Sequence, residues 1–379
     1  MTMQGGGSGG GMRLDPNTLL AGGGLWRQVA VTAIAVILGL VVGAVLIVFA
    51  NVMGGGELDL GLPLVAFDAL FQGSLSNEKA IANTLNAASP LILVGLAVSF
   101  GFRAGLFNIG AQGQFFLGAF LSALLGAVAG LPDGVHLAVT LLGGFVGGAL
   151  WGFIPGLLKA WRGAHEVVTT IMLNFVAMLS LNLLAGTTFR DPGASFPRTS
   201  DIYPSATLPI LLQDTRLHAG IIVALLAALA VWFLLFKTAL GFEIRMVGAN
   251  ASAARYAGIR PGFITVLTMS ISGGLAGLAG AAEILGITKN YPAEYATTYG
   301  FDGIAVALLG RSHPFGVVGA ALLFGVLRAG VGTMQRTTNI PIDIIVIVQA
   351  AIILFVAAEV LIRNVLPRAR ARAEAEEAA

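Results

Sequence analysis

Three side-chain amides, Asn108, Gln112 and Gln114, stand inside a long apolar region, in the stretch GLFNIGAQGQFFLGAF at 105–120. An amide at bilayer depth has no water to bond to, so these groups must face protein or a wet cavity. Set beside Phe107, Phe115 and Phe116, they suit a small uncharged polar solute that is hydrogen-bonded by the amides and stacked on the rings. Read as one continuous helix, Asn108 and Gln112 share a face at i, i+4, and Gln114 points elsewhere. Glycines at 105, 110, 113 and 118 let a second backbone come close, or let the helix unwind where it lines a cavity. The plainer alternative is a packing face, with the amides as glue between helices and the phenylalanines against protein or lipid.

A second polar set lies in HEVVTTIMLN at 165–174. Glu166 begins a span, where its charge suits the helix dipole, and Thr169 and Thr170 can bond back to the helix. Thr170 and Asn174 share a face, and Asn174 is the better candidate for lining a path. A third set, GFEIRMVGANASAARYAGI at 241–259, is too polar to span and too orderly for a linker. Residues 251–257 are expected to form a short helix whose small residues, Ala254 among them, allow close docking. Met246, Tyr256 and Ile259 are expected to enter a partner groove, with Arg245 and Arg255 on its rim. A helix lying on the lipid surface is the alternative.

Other chemistries find little support. There is no cysteine and no H-E-x-x-H, G-x-S-x-G occurs only as GGSGG at 6–10 within the glycine-rich tail and not as an elbow, and His136, His165, His218 and His313 sit near span ends without metal-ligand spacing. Lys79, Lys159, Lys237 and Lys289 all lack a preceding glycine, so the chain has no phosphate loop of the Walker A kind. Glu283, Asp302 and Asp343 are placed near outer span ends, where they can hydrate, and no Asp/Glu/His chain crosses the middle. No metal, cofactor or catalytic residue is implied, and a neutral solute is favoured over an ion.

The elements that must position these residues are membrane helices. The chain of 379 residues is 56% hydrophobic and 11% charged, against about 25% charged in soluble domains. Its apolar runs are continuous over roughly 20 residues rather than alternating over about 10, which favours helices over a β-barrel. An all-α polytopic protein with about ten spans is expected. The spans fall at 26–50, 81–100, 106–129, 136–158, 167–186, 219–236, 263–286, 297–310, 315–334 and 343–362. The eighth, at 297–310, is short or broken. Residues 51–80 and 187–218 read as loops, and 237–262 as a segment on the face of the termini. A flexible glycine-rich tail occupies 1–24, the transmembrane body 25–363 and a charged tail 364–379.

Fourteen of the 21 Lys and Arg residues then lie on the side of the termini, which assigns both termini to the cytoplasm. The basic residues sit at span ends, which argues for lipid and against nucleic acid as a partner. A weak internal echo relates 95–116 to 303–324, with Arg103 and Arg311 at matching turns.

Together, GLFNIGAQGQFFLGA at 105–119, EVVTTIMLN at 166–174, VGANASAARYAGI at 247–259 and GFDGIAVALLGRSHPFG at 300–316 resemble the permeases of bacterial ABC importers. Those importers take up nucleosides, simple sugars and branched-chain amino acids, and the nucleoside and simple-sugar branch is nearest. The resemblance covers most of the chain from the second span to the ninth. It implies a multi-pass subunit of the bacterial inner membrane that works with ATP-binding subunits, a second permease and an extracytoplasmic solute-binding protein. It also implies that Asn250–Ile259, with Ala254, Arg255, Tyr256 and Gly258, is the coupling helix seated in the ATPase groove. The family often has proline or an acidic residue after the asparagine; Ala251 and Ser252 stand here. The glycine-rich tail is outside the family pattern. The rivals are a secondary transporter or facilitator without ATPase partners, and a membrane-embedded enzyme or scaffold.

Overall fold

A computed structural model describes residues 25–352 and 354–355, with side chains from residue 33 onward. The tails at 1–24 and 364–379, and the last turns expected for the tenth span, lie outside these residues. The described chain is helical: α1 (Leu25–Met53), α2 (Leu62–Leu75), α3 (Glu78–Arg103), α4 (Ala111–Gly126), α5 (Val135–Arg162), α6 (Glu166–Gly186) and α7 (Gly220–Lys237) come first. They are followed by α8 (Ala239–Ala249), α9 (Ala251–Tyr256), α10 (Pro261–Glu283, wound on to Thr288), α11 (Tyr299–Leu309), α12 (Pro314–Thr338) and α13 (Asp343–Ile352). Seven of these are long and apolar enough to cross a bilayer, and α2, α4, α11 and α13 are shorter apolar helices. This is a multi-pass, all-α membrane protein.

Ten crossings are present if α4, α11 and α13 each complete one. The segment at 51–80 is a correction, because it holds α2. That helix packs on α12, where Gly73 meets Thr333 and Gly330 meets Leu70, and Thr84 Oγ1 donates to the Ser74 carbonyl at 2.8 Å. At 14 residues, α2 is too short for the periodicity of a full span to reveal it.

Two helices make the centre. In α3, 78% of the most apolar stretch is inside the protein, and in α10 61%, against 39% or less for α1, α5, α6, α7 and α12. The outer helices turn large apolar side chains outward, as α6 does with Val168, Met172, Phe175, Leu179 and Leu183. Lipid is as apolar as leucine, so burial alone does not hold such helices together; close backbone packing must. A glycine seam supplies it. A Cβ on Gly148 of α5 would overlap the Gly273 carbonyl of α10, and one on Gly118 of α4 would overlap Gly277.

The helices share two faces. On one, Arg103 Nε donates to the Ser312 carbonyl at 2.8 Å, and the guanidinium groups of Arg103 and Arg245 lie 5.5 and 5.2 Å from the Phe236 ring centre. We call this the basic face. On the opposite face the 187–218 segment is knitted to the end of α10, with Leu208 N–H to Leu285 O at 3.0 Å and Ile202 N–H to Lys289 O at 2.8 Å.

Two interruptions shape the interior. Residues 104–110 separate α3 from α4, with Gly105 at φ +71° making the reversal. Residues 289–298 turn back from the face opposite the basic one and lead into α11. With 11 residues at about 1.5 Å each, α11 covers only roughly half the hydrocarbon thickness. The expected short eighth span is therefore an irregular descent followed by a half-length helix.

Candidate functional site

A helix that begins inside a membrane leaves its first N–H groups without water, and something must accept from them. At both interruptions the accepting groups are amides. Asn174 of α6 accepts from the Gly113 N–H at 2.8 Å and donates to the Ile109 carbonyl at 2.9 Å, clamping the start of α4 from both sides. Asn108 accepts from the Gly110 N–H at 3.0 Å. Its Nδ2 donates to Gln114 Oε1 at 2.8 Å and to Ser272 Oγ at 2.7 Å, and Ser272 Oγ in turn donates to the Ala97 carbonyl at 2.6 Å. Gln112 spans to the other interruption. Its Oε1 accepts from the Gly300 N–H at 2.7 Å, at the start of α11, and its Nε2 donates to the Thr297 carbonyl at 2.7 Å.

This corrects the helical reading of 105–120. Asn108 lies in the turn before α4, not on a helix with Gln112, and Gln114 is its direct partner. The reason is local: the turn at 104–110 takes Asn108 out of the helical register, and the backbone it caps draws Gln114 toward it. Asn108, Gln112, Gln114, Thr170 and Asn174 are all buried. Thr170 Oγ1 bonds back to the Glu166 carbonyl at 2.7 Å, as the sequence suggests. Glu166 is the first residue of α6, and its carboxylate takes Lys159 Nζ at 2.5 Å. Phe107 is 37% exposed beside Phe102, whereas Phe115 and Phe116 are buried. Those two rings pack on the descending segment: Phe115 lies 5.6 Å from Tyr299 and Phe116 6.0 Å from Tyr295.

A charged group stands beyond this frame, and sequence reasoning missed it. Asp302, the fourth residue of α11, pairs with Arg328, the fifteenth of α12, at 3.0 Å. The Arg328 guanidinium lies 4.1 Å over the Tyr299 ring. Glu283 of α10 is within electrostatic reach of Arg328, Tyr295 and Tyr299. Asp302, expected near a span end where it can hydrate, keeps 28% of its side chain exposed and pairs with Arg328, which sits near the middle of its own helix. The two residues are 26 apart on different helices, and no local spacing signals that they meet.

On the basic face, α8 and α9 follow the expected third set. Asn250 has extended backbone and caps α9, accepting from the Ala253 N–H at 3.0 Å. Ala254 is buried under α9 while Tyr256 is 95% exposed. Met246 and Ile259, expected to project outward, pack against the core instead, and Arg245 lies along Phe236 with its Nε on the Gly241 carbonyl at 3.3 Å. The outward apolar side chains of this element are therefore Phe242 and Tyr256. A Cβ on Gly248 of α8 would overlap the Arg103 carbonyl, so the element bears directly on the turn that opens α4.

Two of the four histidines are more deeply set than their places near span ends imply, whereas His165 is exposed and His313 half-buried. His136 is buried, with Nδ1 2.8 Å from Ser205 Oγ and Nε2 3.0 Å from the Leu125 carbonyl. His218 is buried with Nδ1 accepting from the Gly220 N–H at 3.1 Å, and its Nε2 has no hydrogen-bond partner among the described residues. On the face opposite the basic one, Arg198 holds Asp201, which also accepts from Asn290 Nδ2 at 2.8 Å. Burial would raise the Asp201 carboxyl, but these hydrogen bonds and the Arg198 charge bring it below the usual range.

Comparison with known proteins identifies the family. Residues 80–357 match the family described as the branched-chain amino acid transport system / permease component. The chain is 41% identical over 342 residues to the guanosine ABC transporter permease protein NupP of Bacillus subtilis, covering 89% of this chain and 95% of the relative. It is 34% identical over 357 residues to the nucleoside ABC transporter permease protein NupB of Lactococcus lactis, covering 91% and 95%. It is also 34% identical over 354 residues to the glucose ABC transporter permease protein TsgB13 of Haloferax volcanii, covering 91% and 90%. No solved structure matches the chain.

Proposed function

This chain belongs to the branched-chain amino acid transport permease family, and we propose that it is the membrane subunit of an ATP-driven importer for a nucleoside or a simple sugar. The names of its relatives support those solutes, and the absence of a glycine-lysine phosphate loop supports ATP binding by separate subunits. A second permease and an extracytoplasmic solute-binding protein complete the assembly. The excess of Lys and Arg on the basic face supports placing that face, and both termini, in the cytoplasm of a bacterial cell.

One observation carries the mechanism. The exposed helix α9 is linked through Gly248 to Arg103 and Ala104, and so to the buried start of α4. Closure of the ATP-binding subunits around Tyr256 and Arg255, with Asn250, Ala254 and Gly258 shaping the helix and Arg245 anchoring it, would press on that turn. Asn108, Gln112, Gln114, Thr170, Asn174 and Phe107 border the solute route. Their hydrogen bonds tie the start of α4 to that of α11, so the two interruptions move together. ATP drives this cycle only by binding one access state more tightly than the other.

Deleting Asn250–Gly258 tests the docking. The truncated chain should insert into membranes at the wild-type level and no longer co-purify with the ATP-binding subunits. Co-purification in wild-type amounts contradicts the assignment.

A further inference from the structure

Glu283 differs from every amide of the frame: its carboxylate takes no hydrogen bond from the described residues, although it lies among Arg328, Tyr295 and Tyr299. Nearby, the Asp302 and Arg328 side chains remain 28% and 33% exposed despite their pairing. The Tyr295 hydroxyl is buried without a hydrogen-bond partner among the described residues. A carboxylate facing hydrocarbon is costly, and charged groups within spans characteristically face a path or a protein partner. Arg328 has five N–H donors, and its bond to Asp302 uses one of them. The group therefore has acceptor and donor capacity that the protein leaves open.

We propose that Glu283, Asp302 and Arg328, walled by Tyr295 and Tyr299, form a binding station on the solute route for an uncharged ring bearing neighbouring hydroxyls, a free sugar or the sugar half of a nucleoside. This rests on the import reading above and names what the route recognises. Two carboxylates supply acceptors for adjacent hydroxyl donors, and Arg328 donates to a ring or hydroxyl oxygen. Tyrosine rings meet the apolar faces of the sugar. With two carboxylates against one guanidinium the station repels a phosphorylated sugar, whose added negative charge has only Arg328 to meet it. On this proposal the solute is neutral, and the groups that hold it are charged.

The test uses the complete importer in vesicles, with tritiated guanosine and radiolabelled glucose as probes. Glu283→Gln removes one charge and leaves the Asp302–Arg328 pair in place, so it separates binding from packing. It should raise the KM of whichever probe the wild type takes up by about tenfold or more, with insertion and subunit assembly unchanged. The swapped pair Asp302→Arg with Arg328→Asp keeps an ion pair between α11 and α12, and should restore assembly but not uptake. Wild-type KM in Glu283→Gln, or wild-type uptake by the swap, would show a strut between helices and overturn the station. If both probes are taken up and the loss is confined to guanosine, the base is recognised rather than the sugar, and the proposal fails. A wild-type complex that moves neither probe defeats the import reading itself.

Discussion

The amide frame and the charged station lie side by side, yet they are satisfied in different ways. At the frame, Asn108, Gln112, Gln114 and Asn174 find protein partners for both ends of their side-chain amides. At the station, Glu283 finds none among the described residues, and Asp302 and Arg328 use only part of their capacity. The contrast teaches that polarity at depth does two kinds of work. Groups that cap broken helices give the route its shape, and groups with capacity left over are available to the solute.

The largest effects should separate the two regions. Asn174→Leu leaves the Gly113 N–H and the Ile109 carbonyl buried and unpaired, and Gln112→Leu does the same to Gly300 and Thr297. Each abandoned group costs about 1–3 kcal/mol. Both variants should therefore lower the unfolding temperature and the yield of assembled complex, measured by size exclusion and thermal unfolding in detergent. If either variant keeps wild-type stability and loses only uptake, the frame touches solute more than it builds the route.

A smaller effect comes from His218, which belongs to neither region and calibrates both. Burial, with the Lys289 charge acting in the same sense, lowers its pKa from 6.5 to about 4. The unfolded chain takes up a proton below pH 6.5 that the folded chain refuses until about pH 4. The stability present above the higher value is therefore lost as pH falls toward the lower one, by about 2 kcal/mol between pH 7 and 5. His218→Gln should flatten that slope in unfolding curves taken across this range. An unchanged slope would locate the acid sensitivity elsewhere.

The smallest effect sharpens the station. Arg328→Lys keeps the charge but loses the flat contact over Tyr299 and the forked donors. That contact is worth about 1 kcal/mol, which corresponds to roughly a fivefold rise in the KM for uptake. The unfolding temperature should stay close to wild type. A large drop in stability with unchanged KM would return Arg328 to a purely structural role.

What could be read from the sequence followed from length and periodicity. The long apolar runs marked the spans, and Asn250 followed by small residues marked α9. The echo between 95–116 and 303–324 corresponds to two segments that run to the basic face, turn, and return, with Arg103 reaching the Ser312 carbonyl of the other turn. What stayed hidden depends on where helices stop. Spacing along a sequence assigns faces only while a helix continues. The turn at 104–110 put Asn108 off the helical face, and the irregular segment at 289–298 set the start of α11 beside Gln112. The approach of Asp302 to Arg328 arises from packing between helices, which no spacing within one helix encodes. Helix α2 escaped notice because a short helix behind Gly54–Gly56 looks like a loop.

Uptake into sealed vesicles tests the central claim most directly, comparing this chain alone with the proposed assembly of a second permease, ATP-binding subunits and solute-binding protein. The account expects the complete assembly to concentrate guanosine or glucose only when ATP is present on the side of the basic face, and the chain alone to move neither uphill. Concentrative uptake by vesicles containing only this polypeptide would contradict it.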